Sequence, residues 1–287
     1  MATLWIDGLC KKYPAFYLDH VTFEVGEGKI MGFVGRNGAG KTTTIKSLFN
    51  YVHPDEGEIY FFGLNFKSNE LEIKSRVGYV GSDGGFYAQK RLGKLTEVTR
   101  TFYPEWDEAV YRDCLRRFNL DESKRIRELS EGMKVKYQLA LALSHHAKLL
   151  VLDEPTSGLD PVSRDDLLEL FLDLAEKEGV SILFSTHITS DLEKCADFIT
   201  YIKDGRLLAS TDVESFRESY RLVAGDQEQL EGKRPLMIGS KAHAFGFTGL
   251  IRAENAPEFA GCRIAPADLE SIMIYTEQED GHEQTAL

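Results

Sequence analysis

Gly35-Arg36-Asn37-Gly38-Ala39-Gly40-Lys41-Thr42-Thr43 fits the pattern G-x-x-x-x-G-K-[ST], with Gly35, Gly40, Lys41 and Thr42 in the four fixed places. Glycines let backbone N–H groups turn inward and form a nest for an anion, where bulkier residues would clash. The positive end of the following helix dipole points at the same spot. Gly35, Asn37, Gly38, Gly40 and Thr43 therefore read as a phosphate cradle. Lys41 is placed to bridge β- and γ-phosphates, and the Thr42 hydroxyl to ligate Mg²⁺. The flanks agree: Lys29 to Val34 reads as a buried strand. Thr42 to Asn50 reads as an amphipathic helix with Ile45, Leu48 and Phe49 inward.

A chain of 287 residues holds one large domain, or one domain and a smaller appendage. With 43% hydrophobic and 28% charged residues the composition is that of a globular protein. The net charge of −12 argues against broad nucleic-acid binding, which leaves a basic footprint. The four cysteines, at 10, 114, 195 and 262, form no C-x-x-C and have no close histidine in the sequence. That pattern suits reduced thiols and predicts neither a zinc site nor a disulfide frame. The start lacks a basic region followed by an apolar one, so no signal peptide is expected. No apolar run approaches the ~20 residues of a membrane span.

Before the glycine-rich stretch, Leu4 and Ile6, then Val21, Phe23 and Val25, alternate with polar neighbours as in half-buried antiparallel strands. Lys11 to Pro14 is expected to be a loop reaching toward the phosphates, and His53 to Gly57 a turn before a strand from Glu58 to Phe62. From about Lys94 to His146 the spacing is helical. A further helix from about Val162 to Lys177 has Asp160 as N-cap and Pro161 at its first position. Strands at 148–152, 181–185, 198–202 and 206–209 alternate with helices, which means a mostly parallel core sheet with an antiparallel N-terminal addition. The expected domains are thus 1–210, with a helical subdomain at about 94–146, and an α+β appendage at 211–287. Its last helix starts near Pro266, and a polar tail from Glu277 is expected to be disordered.

Leu149 to Leu152 is an apolar strand that ends in Asp153-Glu154. A carboxylate at the end of a core strand beside such a loop is placed to hold Mg²⁺, the role expected of Asp153. Glu154 would then face the γ-phosphate and activate the attacking water.

Upstream, Leu129-Ser130-Glu131-Gly132-Met133 resembles the L-S-G-G-Q signature of the ATP-binding-cassette family, with Glu131 and Met133 as departures. The resemblance covers residues 2 to about 210 and implies an α/β P-loop cassette that hydrolyses ATP with Mg²⁺. In that family the signature serine and glycine bind the γ-phosphate of ATP held by another subunit, a role that would fall to Ser130 and Gly132. Ser157-Gly158-Leu159-Asp160 matches the loop that runs across the dimer interface, and His187 the switch histidine on the γ-phosphate. Lys41, Glu154 and His187 would be catalytic, and Tyr13 stands where an aromatic stacks on adenine. The family glutamine that touches Mg²⁺ is missing. Ser82 falls in its place, followed by Asp83, so either Ser82 acts through a water or Asp83 supplies an oxygen.

Phe86, Tyr87 and the Phe102-Tyr103-Pro104-Glu105-Trp106 stretch are either core of the helical subdomain or a groove for a short helix of a membrane partner. This stretch looks most like small Gram-positive exporter ATPases with a separate permease chain. The resemblance implies a homodimer with ATP sandwiched, peripheral to the cytoplasmic face of the membrane, that powers export of peptides or other amphipathic compounds. The rival readings are a soluble cassette ATPase acting on ribosomes or DNA, and a catalytically weak ATP-binding module.

Overall fold

The computed structural model describes residues 2–81, 87–230, 232–244 and 246–278. The chain divides into two compact units, Met1–Ser210 and Thr211–Leu287.

The first unit opens with a hairpin of β1 (Ala2–Tyr13) and β2 (Phe16–Gly26), followed by β3 (Ile30–Val34) and helix α1 (Lys41–Leu48). Next come β4 (Glu56–Phe61), β5 (Leu64–Asn65), α2 (Phe66–Arg76) and β6 (Val77–Val80). Helices α3 (Leu92–Thr99), α4 (Glu108–Arg117) and α5 (Glu131–Ser144) form the helical part. Then β7 (Leu149–Leu152), α6 (Pro161–Glu178), β8 (Ser181–Thr186), α7 (Thr189–Cys195), β9 (Phe198–Lys203) and β10 (Arg206–Asp212) complete the α/β core. The core sheet has the order β10-β9-β3-β8-β7-β6, and a second sheet, β2-β1-β4-β5, is antiparallel. In the core, β3 pairs in parallel with β8 and β9, and β7 with β6 and β8. Strands covered on both faces must be apolar throughout, and every residue of β3, β7 and β8 is buried. Packing is close where α7 crosses β3: a Cβ on Gly32 would lie 1.8 Å from Leu192 Cδ2.

Local chemistry sets the helix ends. Asp160 accepts hydrogen bonds from the Val162 and Ser163 N–H groups, Pro161 opens α6, and Gly179 closes it in the left-handed region. Its buried face is built from Leu167, Leu168, Leu170, Phe171 and Leu174. In the helical part, Thr96 Oγ1 lies 2.7 Å from the Tyr111 hydroxyl and 2.9 Å from that of Tyr137, and Tyr137 also donates to the Leu92 carbonyl. This buried triangle ties α3, α4 and α5 together, and burial pushes the Tyr137 phenol up to about 12.

Three expectations change. Lys11 to Tyr13 is strand, because the β1–β2 ladder runs on through Lys12↔Tyr17 to Tyr13↔Phe16 and leaves only Pro14 and Ala15 for the turn. The turn before β4 is shorter than expected, since Glu56 already pairs with Cys10. Gly57, with φ 98, lies so near β1 that a Cβ would be 2.6 Å from the Gly8 carbonyl oxygen. A helix with no periodic signature also appears: α2 buries only Phe66 and Ile73 and is started by Asn65, whose side chain accepts from Lys67 N–H.

In the second unit, α8 (Val213–Glu218), β11 (Tyr220–Gly225), α9 (Gln227–Leu230), β12 (Met237–His243), β13 (Gly246–Arg252), β14 (Arg263–Pro266) and α10 (Leu269–Gln278) build a sheet ordered β12-β13-β11-β14. Val223, Leu230, Phe247, Ile251 and Phe259 form its core, and Asp268 caps α10 through the Ser271 N–H. Glu277 and Gln278, expected in the tail, belong to α10, and the rest of that tail lies outside the described residues.

One histidine makes the first unit acid-sensitive. His145, 5% exposed, ends α5 with its ring stacked 3.9 Å from that of Tyr103. Its Nδ1 donates to the Ser75 carbonyl, and burial drives its pKa from 6.5 down to about 4. A neutral ring is therefore favoured in the fold, while the unfolded chain takes up a proton below 6.5. Stability from this residue is complete above about 6.5 and falls as pH drops toward 4. Urea unfolding at pH 7 and pH 5 should differ by on the order of 1–2 kcal/mol more in the parent than in His145→Phe. Equal differences in the two proteins would refute the assignment.

Candidate functional site

The loop after β3 is forced by what surrounds it. A Cβ on Gly35 would lie 2.2 Å from the Ile202 carbonyl oxygen on β9, so only glycine lets the chain pass. Gly40, with φ 115, starts α1, and its α-carbon is hemmed in by Phe16, Leu18 and Ile202. No side chain caps α1, so the N–H groups of its first turn are available to an anion.

Above this loop lies a cavity of about 460 Å³. Its lining combines Asn37, Gly38, Gly40, Lys41, Thr42 and Thr43 from the loop and α1, Tyr13 and Phe16 from the β1–β2 hairpin, and Glu154. The Tyr13 ring is 42% exposed and tilted against Phe16 at 6.4 Å, a flat apolar surface at one end of the cavity. Lys41, only 5% exposed, donates to the carbonyls of Gly35 at 2.7 Å and Arg36 at 3.3 Å, and its Nζ lies 3.1 Å from Glu154 Oε1.

The ends of β7 and β8 meet this loop. Asp153, 3% exposed, accepts from Ser185 Oγ at 2.7 Å and from Thr42 Oγ1 at 3.3 Å. The Ser185 hydroxyl in turn accepts the Glu154 N–H at 2.9 Å. Glu154 has φ 52, a left-handed backbone that costs a non-glycine residue on the order of 1 kcal/mol and is held here by its neighbours. Its second oxygen, Oε2, lies 2.8 Å from His187 Nδ1. One carboxylate thus joins Lys41 to His187. Thr42 and Asp153 offer the hard, oxygen-only donors that Mg²⁺ prefers, so the residues present fit that ion.

The other expected residues are placed elsewhere. Ser130 is exposed and accepts from the Met133 N–H as N-cap of α5. Gly132 packs so near Leu159 that a Cβ would lie 3.3 Å from its Cδ2. Asp160 is engaged in capping α6. None of these three lines the cavity. Ser82, Asp83 and Phe86 lie outside the described residues.

The aromatic stretch divides between its two readings. Tyr103 stacks on His145, and Trp106 lies 5.4 Å from the Tyr111 ring, so both belong to the packing. Phe102 is 74% exposed. Tyr87 lines a groove of about 580 Å³ with Leu95, Val98, Ile126 and Leu141, bordered by Lys90 and Lys94.

Sequence reading missed two groups. Gln138 of α5 holds Gly81 at both ends, accepting its N–H at 3.2 Å and donating to its carbonyl at 3.4 Å. Asp191, fully buried in α7, accepts from Thr156 Oγ1 at 2.6 Å, from Thr186 Oγ1 at 3.4 Å and from Arg164 Nε. It therefore ties the segment after Glu154, the start of α6 and the approach to His187 to one carboxylate. An acidic residue four places after His187 was the only sequence sign of it.

The chain is similar to known proteins of one family. The ABC transporter family model matches residues 18–157. The ABC transporter ATP-binding protein YtrB of Bacillus subtilis (strain 168) is 32% identical over 203 residues, 71% of this chain and 69% of that protein. The bacitracin transport ATP-binding protein BcrA of Bacillus licheniformis is 35% identical over 206 residues, 71% of this chain and 67% of that protein. A solved ATP binding subunit of an ABC transporter superposes with a TM-score of 0.67 at 29% identity, covering 75% of this chain and 92% of the other. The chain belongs to the ATP-binding subunits of the ABC transporter family, and it is an ATPase.

Proposed function

We propose that two copies of this chain close head-to-tail over two Mg·ATP, and that the cycle drives export of amphipathic antimicrobial compounds through a separate membrane subunit. One observation carries the reading. The cavity gathers Lys41 and Glu154 but leaves Ser130 and Gly132 outside it, so phosphate bound there still has an open side. Backbone N–H groups at the start of α5 in a second copy would close that side.

In this reading Lys41 neutralises phosphate charge, and Thr42 and Asp153 hold Mg²⁺, which supplies further charge neutralisation on the phosphates. Phosphate arriving on the loop competes with Glu154 for the Lys41 ammonium. Handing Lys41 over frees the Glu154 carboxylate to orient water, with its other oxygen still steadied by His187. ATP binding and arming of the base are then one exchange of partners. Tyr13 and Phe16 offer a stacking surface for adenine.

The groove by Tyr87 suits a short amphipathic helix of the permease, having apolar walls and a lysine border. No described helix is long and apolar enough to cross a membrane. Attachment to such a partner would keep the chain at the cytoplasmic face of the membrane. The choice of cargo rests on similarity to the bacitracin transport protein.

Two variants test the reading. Glu154→Gln, which retains shape but loses the base, should lower turnover at least a hundredfold and, with saturating ATP, elute as a dimer in size-exclusion chromatography. A variant that remains monomeric under these conditions contradicts the sandwich. Asp191→Asn leaves the Arg164 guanidinium without its charge partner and loosens the approach to His187. Its kcat should fall about tenfold while the KM for ATP changes less than twofold, and Asp191→Glu should restore part of the rate. A change confined to KM would remove Asp191 from the positioning role.

A further inference from the structure

Cys10, His20 and Glu56 stand on three neighbouring strands, β1, β2 and β4, and their ligand atoms all lie within 4.8 Å of one another. The expectation that no cysteine has a histidine partner fails here, because the hairpin closes a ten-residue separation that sequence spacing leaves open. A bulge makes the meeting possible. Leu9 faces Val21 and Lys11 faces Leu18, so Cys10 alone stands opposite Asp19 and His20 together. His20 absorbs the extra residue with φ 48, and its N–H donates to Cys10 Sγ at 3.3 Å. On the other side Cys10 is the direct cross-strand partner of Glu56, which puts their side chains on one face of the sheet.

The arrangement has the features of a metal centre. The thiol is 1% exposed, whereas the His20 and Glu56 residues at its flanks are exposed, so the softest donor is sheltered and solvent can supply a further ligand. Asp19 Oδ1 lies 2.6 Å from His20 Nδ1, an outer carboxylate that orients the ring and is itself held by Arg206 Nε at 2.7 Å. The nearby ammonium of Lys11 is engaged by Asp55 at 2.8 Å.

We propose that Cys10, His20 and Glu56 bind a divalent cation of the zinc class, with water as fourth ligand. One sulfur, one imidazole nitrogen and one carboxylate oxygen match the preferences of that ion. They differ from the oxygen-only donors at Thr42 and Asp153, which suit Mg²⁺. The cation would clamp β1, β2 and β4 to one point. The same β1–β2 hairpin carries Tyr13 and Phe16 to the nucleotide cavity, so its binding would stiffen the end of the site expected to hold the base.

Cobalt(II) is the probe, because a thiolate–cobalt bond gives a near-ultraviolet charge-transfer band that an oxygen-only site cannot give. The full chain, stripped with chelator and titrated with Co²⁺, should develop that band to one equivalent, and Zn²⁺ should bleach it. Cys10→Ser should abolish the band. His20→Ala alters a side chain that is 68% exposed and so opens no cavity in the core. It should weaken Co²⁺ binding at least tenfold, and Asp19→Asn about tenfold, by loss of the orienting carboxylate. Zn²⁺ should raise the melting temperature of the parent and not of His20→Ala, and without Zn²⁺ the Mg·ATP hydrolysis by His20→Ala should match the parent. Absence of the band with excess Co²⁺, its survival in Cys10→Ser, or unchanged Co²⁺ affinity in His20→Ala overturns the proposal.

Discussion

The carboxylate of Glu154 holds three parts of the site in one arrangement. It lies 3.1 Å from the almost fully buried ammonium of Lys41 and 2.8 Å from the imidazole of His187. A charge as buried as that of Lys41 must be paired, and the carbonyls of Gly35 and Arg36 provide only part of its solvation. Any ligand that takes over Lys41 therefore removes one of the two partners of the Glu154 carboxylate. The left-handed backbone at Glu154 is the structural cost of bringing this side chain to both partners, and the Ser185 hydroxyl keeps it there.

The rest of the first unit holds that carboxylate in place. Strands β3, β7 and β8 are buried on both faces, so their ends present Gly35, Asp153 and Ser185 at fixed separations. The Gly35 backbone passes against the Ile202 carbonyl, which locks the phosphate loop to the core sheet. Asp191 fixes the flanks of Glu154 and His187 through Thr156, Arg164 and Thr186. The start of α5 lies against the same region, with Gly132 packed on Leu159.

What could be read from the sequence was local in its physics. The glycine pattern from Gly35 to Gly40, the Asp160-Pro161 start of α6 and the apolar runs of the core strands each carry their signal within a few residues. Helix α2 was hidden because only Phe66 and Ile73 face inward, which leaves no period to detect. Tyr13 still pairs with Phe16 on the β1–β2 ladder, a cross-strand contact that the local composition of Lys11 to Pro14 does not encode. Contacts made by tertiary closure leave little trace in the sequence. Asp191 meets Thr156 and Arg164 across 35 and 27 positions, and Gln138 meets Gly81 across 57. Cys10 and His20 meet only because a bulge places two residues opposite one.

In the proposed dimer each nucleotide cavity is half of a site, completed by a second copy. Mixing two inactive variants tests it directly. Lys41→Ala disables the cavity but leaves the start of α5 intact, and Gly132→Asp does the reverse. A mixed dimer holds one composite site in which both halves are native. The account predicts that ATP hydrolysis, absent from either variant alone, returns on mixing and peaks near equimolar proportions. A mixture as inactive as its components, or full activity of Gly132→Asp alone, would contradict it.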